Sequence, residues 1–412
     1  MSRQDELSMW TQELSNRMPH LSKPQVAVLA MFSYGMVLAR TCGRTTVAAF
    51  LAILLGKNED AVEQRLREWY CDAKDKSGKK RRELDVTTCF MPLLRWVVAL
   101  WTGTAIALAI DATSLGEQFV VLTISVVYRG TGIPVAWAVL AGQKKGAWRG
   151  YWLRMLDQLQ PAIPSDWLVL VLTDRGLYAP WLFRHISGLG WHPFMRINRG
   201  AKFRPAGQKN WYWLMGMVGG VEGRWRGHGT AFASSRYPLN CTLVAWWGAG
   251  HDEPWFVLTD LPAEGCDAAW YGLRTWCEQG FKCYKRGGWQ WQYTRMTDPD
   301  RVARVWLALA VANLWMVTLG SELEVGPTAE TPDLPDLRSI LTSVARQDGR
   351  PRRLRLFRLG WLSLLVRLIA GEPLPLPRQL LAEPWPDMPE LWNVFAMHQK
   401  IPAHVPAQKT YP

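Results

Sequence analysis

Residues 104–114 read TAIALAIDATS and residues 167–176 read WLVLVLTDRG. Each is an unbroken apolar run that closes on an acid, Asp111 in the first and Asp174 in the second. A continuous run, unlike an alternating one, is the pattern of a strand covered on both faces in a parallel or mixed sheet. If two such strands lie side by side and parallel, their closing acids emerge on one edge, where α/β proteins build their sites. Carboxylates gathered there offer a hard divalent cation its preferred oxygen ligands and leave room for water and phosphate oxygens. A lone strand-end Asp is ordinarily a turn residue; two of them in one α/β segment of a basic chain point to chemistry.

Outward from these runs the same segment keeps its α/β character. FVVLTISVVYRGTG (119–132) and IPVAWAVLAG (133–142) are separated by the turn signal Arg129-Gly130-Thr131-Gly132 and, with the first run, predict a strand meander. Helices are expected over Trp148–Gln160 and Ala179–Gly188, and a further strand at WHPFMRIN (191–198). Residues 199–262 are rich in Gly, Trp and short alternating segments and predict a β-rich insertion. Helix resumes with Asp267 as N-cap and ends at Gly287-Gly288. Val305–Gly320 is apolar throughout but shorter than the roughly 20 residues a membrane span needs, so a buried core helix is expected.

On the N-terminal side, Lys23–Arg40 and Thr45–Tyr70 carry apolar residues at helical spacing, with Thr45-Thr46 as a cap. Gly56-Lys57-Asn58 breaks the second stretch into a helix-turn-helix-like pair. A basic run, CDAKDKSGKKRREL (71–84), follows and reads equally as a solvated loop or as a contact to a DNA backbone. On the C-terminal side an acidic, Pro-rich linker (321–336) leads to a basic tail, with Arg338, Arg346, Arg350, Arg352, Arg353, Arg355, Arg358 and Arg367 around the single acid Asp348.

The composition bounds the function. The chain has 412 residues, 49% hydrophobic, and its 48 Lys+Arg against 35 Asp+Glu give a net charge of +13. That is enough apolar material to exclude a disordered chain, and the charge favours a polyanionic partner. The N-terminus lacks the apolar core of a secretory signal. Seven scattered cysteines without a C-x-x-C pair argue against a disulfide scaffold or zinc ribbon. No Gly-rich nucleotide loop is present. The expectation is a soluble cytoplasmic protein, off the membrane.

The third acid comes from the helix after the insertion. Tyr271, Arg274, Glu278 and Lys285 stand at offsets of 3, 7 and 14, which on an ideal α-helix fall within about 60° of arc. One face then presents a phenol, a guanidinium, a carboxylate and an ammonium. Arg274 with Glu278 also reads as an ordinary surface i,i+4 pair.

Asp111 in AIDATS, Asp174 in LTDRGLY, and Tyr271-x2-Arg274-x3-Glu278-x6-Lys285 together resemble the DDE transposases of bacterial insertion sequences, in particular the subgroup with the Tyr-Arg-Glu-Lys signature. The resemblance covers about residues 104–320. It implies an α/β fold: an RNase H-like catalytic core (101–320) with its β-rich insertion at about 199–262. A helical N-terminal DNA-binding domain (1–100) would precede the core, and a linker with a helical basic C-terminal region (321–412) would follow. It further implies that Asp111, Asp174 and Glu278 are catalytic and bind two Mg²⁺ (or Mn²⁺) ions. Tyr271, Arg274 and Lys285 would contact DNA phosphates beside the scissile bond.

The implied activity is cleavage at transposon ends followed by strand transfer, with a hairpin intermediate as a variant. The implied partners are terminal inverted repeats, target DNA and a second copy of the chain in a synaptic dimer or larger complex. The implied place is the bacterial cytoplasm, at the nucleoid. The competing readings are an RNase H-like nuclease that cuts without joining and a domesticated DNA-binding protein without catalysis. Six tryptophans of the insertion (211, 213, 225, 246, 247, 255) lie among Lys and Arg residues, and the sequence singles out none of them for stacking on a base.

Overall fold

A computed structural model describes residues 2–78, 81–115, 117–142, 146, 148–233, 238–325, 355–383 and 385. They gather into two compact units. In its described parts one takes Met1–Thr104, Ala112–Pro164 and Trp276–Glu383; the other takes Ala105–Asp111 and Ser165–Thr275, with Trp385.

The first unit is largely helical. Its helices are α1 (Arg3–Arg17), α2 (Lys23–Ala39), α3 (Arg44–Leu55), α4 (Glu59–Tyr70), α5 (Phe90–Leu100), α6 (Arg149–Leu159), α9 (Thr275–Tyr284, entered from the other unit), α10 (Pro299–Val325) and α11 (Leu356–Ile369). A capping box closes the start of α1, where Ser2 and Asp5 exchange side-chain and backbone hydrogen bonds. Helix α3 begins at Arg44 with Gly43 as its cap, one residue before the expected Thr45-Thr46. Tertiary contacts decide that start: Arg44 donates from Nε to Glu63 Oε1 (2.9 Å) and from Nη1 to the Tyr70 hydroxyl (2.5 Å).

From Val302 to Ser321 helix α10 is buried on every side, and Val305–Gly320 within it is apolar on nearly every side, as such a helix must be. Among the described residues it alone is long and apolar enough to cross a membrane, yet 94% of its apolar window lies inside the protein. Trp10 of α1 stacks on Trp315 of α10 with centroids 4.2 Å apart and donates from Nε1 to Ser33 Oγ. The helix continues five residues past the Gly320 expected to end it, because Ser-Glu-Leu-Glu-Val carries no helix breaker and the Gly-Pro pair comes only at 326–327. The remainder of the expected linker and Arg338–Arg353 lie outside the described residues.

This unit also holds the hairpin of β2 (Phe119–Tyr128) and β3 (Thr131–Ala141), paired antiparallel. Helix α9 approaches its turn backbone to backbone. A methyl group on Gly280 would sit 2.9 Å from the amide nitrogen and carbonyl oxygen of Gly132, so position 280 needs glycine.

The second unit is a mixed sheet. Its strands are β1 (Ala105–Leu115, which leaves this unit after Asp111), β4 (Leu168–Thr173), β5 (His192–Arg196), β6 (Lys202–Pro205), β7 (Tyr212–Trp213), β8 (Arg224–Ala231), β9 (Leu239–Trp246) and β10 (Trp255–Thr259). Their order is β1-β4-β5-β10-β9-β8-β6-β7. The pairs β1–β4 and β4–β5 are parallel; those from β5 through β10 to β7 are antiparallel. Helices α7 (Pro180–Gly188) and α8 (Leu214–Val218) complete the unit. Strands β6–β9 thus join the same sheet as β1, β4 and β5, with β10 pairing on β5.

Candidate active site

Strands β1 and β4 are parallel neighbours, and their pairing ends at Ile110↔Thr173. Asp111 and Asp174 are the next residue on each strand, so the two acids leave the ladder at the same level. Asp174 sits at the strand end, as expected, and caps a 3₁₀ turn by accepting from the Gly176 amide (2.9 Å). Asp111 does not end its strand: β1 runs four residues further, to Leu115. What ends at Asp111 is the pairing with β4, and a hydrophobicity pattern reports burial, not which partner stops where.

The signature segment corrects the expectation of a single helical face. Ala268–Arg274 is a 3₁₀ helix and only Thr275–Tyr284 is α-helical, with Lys285 one residue beyond it. Asp267 does cap the segment, accepting from the Ala269 amide at 2.7 Å. The Thr275 hydroxyl donates to the Gly272 carbonyl where the two helix types meet. In a 3₁₀ helix residues i and i+3 eclipse, so Tyr271 and Arg274 share a face without the wider arc the α-helical wheel assumed.

Arg274 brings the two aspartates together. Its Nη2 lies 3.0 Å from Asp111 Oδ2 and 3.6 Å from Asp174 Oδ2. The side chains of Arg274 and Asp111 are each 13% exposed, whereas that of Asp174 is 40% exposed. Two carboxylate oxygens therefore converge on one cationic nitrogen at the edge of the sheet. Tyr271 is buried beside them, edge-on to Trp255 (5.4 Å), with the Arg196 guanidinium 5.6 Å from its ring centre. Burial pushes its phenol up to about 12, and the neighbouring Arg274 and Arg196 cations oppose that rise.

The other two signature residues belong to the first unit. Glu278 is exposed on α9, two residues before Gly280. Lys285 donates from Nζ to Thr113 Oγ1 and to the Ser114 carbonyl, both at 2.9 Å. Partial burial lowers its ammonium from the usual lysine range. Cys277 and Cys283, on the same helix, are buried packing residues.

Residues 104–315, just over half of the chain, match the family described as Transposase DDE domain. The chain belongs to that family. The match spans all six residues singled out above, and the mixed α/β architecture with its large sheet agrees with the RNase H-like fold of such domains. Membership makes this a transposase-type protein, points to an enzyme acting on DNA, and implies DNA as its partner. DDE transposase domains generally depend on a divalent metal. No curated protein matches the chain.

The residues present fit such an ion in their chemistry. Asp111 and Asp174 supply hard oxygen donors already aimed at one cation position, the one Arg274 Nη2 occupies. Among the described residues no group of three His, Cys, Asp or Glu side chains is arranged around a common point.

Three residues were missed as site neighbours. Arg175, Arg196 and Glu253 form a linked group beside Asp174 and Tyr271. Arg175 was visible only as part of Asp-Arg-Gly and Arg196 only as one cation among many; Glu253, in a loop, carries no sequence signal. A cleft of about 770 Å³ in the helical unit, lined by Arg17, His20, Arg82 and Arg95 among others, holds none of the six residues. Phosphodiester chemistry on a polymer needs an open edge such as that beside Asp174, so the cleft does not compete for the role.

Proposed function

We propose that the protein is a DNA transposase that cuts at transposon ends and joins the freed 3′ end to target DNA by metal-dependent phosphoryl transfer. The observation that carries this reading is the level placement of Asp111 and Asp174 at the end of the β1–β4 pairing, converging on Arg274, inside a DDE transposase domain. Asp111, Asp174 and Glu278 would hold Mg²⁺ or Mn²⁺, two ions per site. Those ions would activate water or a 3′-hydroxyl and stabilise the leaving oxygen.

The protein's own side chains have the remaining tasks. Arg274 offers a fork of donors to phosphate, and the same guanidinium keeps two like charges together on the edge. Lys285 supplies a point charge held by Thr113 and Ser114. Tyr271, its phenol kept neutral by burial, supplies a hydroxyl beside them. The helical N-terminal region with its basic run would bind DNA, and two copies would bring two ends together. The protein would work in the bacterial cytoplasm, at the nucleoid.

The test uses the DNA flanking the gene, where inverted repeats would define the ends. With labelled ends and Mg²⁺, the wild-type protein is expected to nick and then join, whereas Asp111→Asn and Asp174→Asn lose both by at least about 1,000-fold, the range of a removed transition-state contact. Nicking that survives in both variants would sink the assigned site. Nicking without joined product in the wild type would favour a nuclease, and no nicking at all a domesticated binder.

A further inference from the structure

Beside the proposed site stands a second group of charges that the reaction reading does not use. Arg175 follows Asp174 directly, and its Nη1 donates to both carboxylate oxygens of Glu253, at 2.8 and 2.9 Å. Arg196, the last residue of β5, donates from Nη2 to Glu253 Oε1 at 2.6 Å. Glu253 itself lies in the loop between β9 and β10, far from both arginines in sequence.

The loop is built to hold that carboxylate still. Trp247 donates from Nε1 to the His251 carbonyl (2.9 Å), closing the loop on itself. His251 packs edge-on against Trp246 and Trp255, and Trp255 in turn against Tyr271. One carboxylate thus fixes two guanidiniums, one next to Asp174 and one over Tyr271.

The donor count exceeds what the carboxylate accepts. A guanidinium has five N–H donors. Arg196 Nε is buried and meets no acceptor among the described residues. The Arg175 side chain is 45% exposed, so its unused donors face solvent. The charge is also unbalanced: two cations share one anion, in a stretch where seven Lys or Arg and no acid stand between Asp174 and Glu222. A net positive, doubly forked, pre-ordered pair is what recognises a phosphodiester.

We propose that Arg175 and Arg196, held by Glu253, form a second phosphate-binding pair that takes a DNA backbone phosphate alongside Asp174, with Glu253 as the positioning residue. This rests on the transposase reading for its ligand, and the test separates the two. Binding of a 30-base-pair duplex is measured by fluorescence anisotropy in EDTA over a salt series, so that no chemistry enters the readout. Each lost phosphate contact lowers the slope of log K against log salt by about 0.9. Arg175→Gln and Arg196→Gln are each expected to lose about that much.

Glu253→Ala decides between positioning and bulk charge. It makes the protein more positive by one, so a merely electrostatic surface would bind DNA more tightly. A positioning role instead predicts severalfold weaker binding, with Glu253→Gln, which keeps one acceptor, in between. Arg175→Lys, at an exposed position, keeps the charge and loses the fork; severalfold weaker binding there supports the pair even if the Arg196 variant folds poorly. Unchanged slopes in both Arg→Gln variants, or tighter binding by Glu253→Ala, would overturn the proposal. If Asp111→Asn is inactive while those slopes stay at the wild-type value, the phosphate pair alone fails. If Asp111→Asn still nicks DNA, the transposase site fails whatever the slopes.

Discussion

Arg304 and Arg274 each bridge two carboxylates, and they do so for different ends. Arg304 of α10 donates to Asp72 (2.8 Å), to Glu83, and to the carbonyls of Tyr70 (2.8 Å) and Leu84 (3.3 Å). It is 4% exposed, and its neighbour Arg301 adds bonds to Asp72 and Asp75. Both ends of the basic loop 71–84 are thereby pinned to the core helix. Arg274 instead holds Nη2 at 3.0 Å from Asp111 and 3.6 Å from Asp174, and Asp174 is left substantially open to water. A buried arginine surrounded by carbonyls and carboxylates is a tie. One whose carboxylates stand level at the end of a parallel strand pairing is, in the proposed reading, a site whose partners give way to a substrate's charges.

Stability measurements can break that comparison, the largest expected effect first. Arg304→Gln should cost about 2–4 kcal/mol in urea unfolding, chiefly because it leaves the Tyr70 and Leu84 carbonyls without this donor; a loss below about 1 kcal/mol would remove the distinction. Gly280→Ala should cost about 1–3 kcal/mol through overpacking against the Gly132 backbone. Because Glu278 rides on the same helix, nicking of end DNA should fall further than the stability change explains. Nicking at the wild-type level would show that α9 need not be held so closely.

Arg274→Gln sharpens the contrast from the other side. It should cost about 1–2 kcal/mol, because Asp111, 13% exposed, loses its cation while the pairing of Asp174 is screened, yet lower DNA cleavage on the order of 100-fold. A stability loss as large as that of Arg304→Gln would make Arg274 a tie as well. The smallest expected effect is on acid unfolding. Hydrogen bonds from Arg304 and Arg301 hold the Asp72 carboxyl down to about 2. A depressed carboxyl contributes stability that is fully present above its unfolded value near 4 and is lost as pH falls through about 2. The wild-type protein should therefore lose more stability between pH 4 and 2 than Asp72→Asn does, and parallel acid limbs would contradict that assignment.

Much of the site was legible because its parts obey local rules. An apolar run closing on an acid marks a buried strand and its exit, and both Asp111 and Asp174 were found that way. The spacing of Tyr271, Arg274, Glu278 and Lys285 marked four residues of one segment, but the wheel drawn through them assumed one α-helix. The Asp267 cap and the Thr275 hydroxyl bond to Gly272 tighten the first half into a 3₁₀ turn. Side-chain competition for backbone groups decides this, and hydrophobic periodicity carries no trace of it. The tryptophans divide similarly. Most pack, as Trp10 and Trp315 do, and Trp213 is the large exposed one of the insertion, a distinction composition does not make.

By itself the sequence determined which segments are strands and helices, which acids end the apolar runs, and that a basic chain carries a DDE-type signature. Each of these follows from backbone geometry and from the cost of exposing apolar surface, which act over a few residues at a time. Only the tertiary structure decided that β1 and β4 are parallel neighbours in register at Ile110 and Thr173, that strands β6–β10 join the same sheet, and that Glu253 draws Arg175 and Arg196 together. Those outcomes depend on strand partners and long-range charge pairs, whose energies are set by distance in space and leave no pattern along the chain.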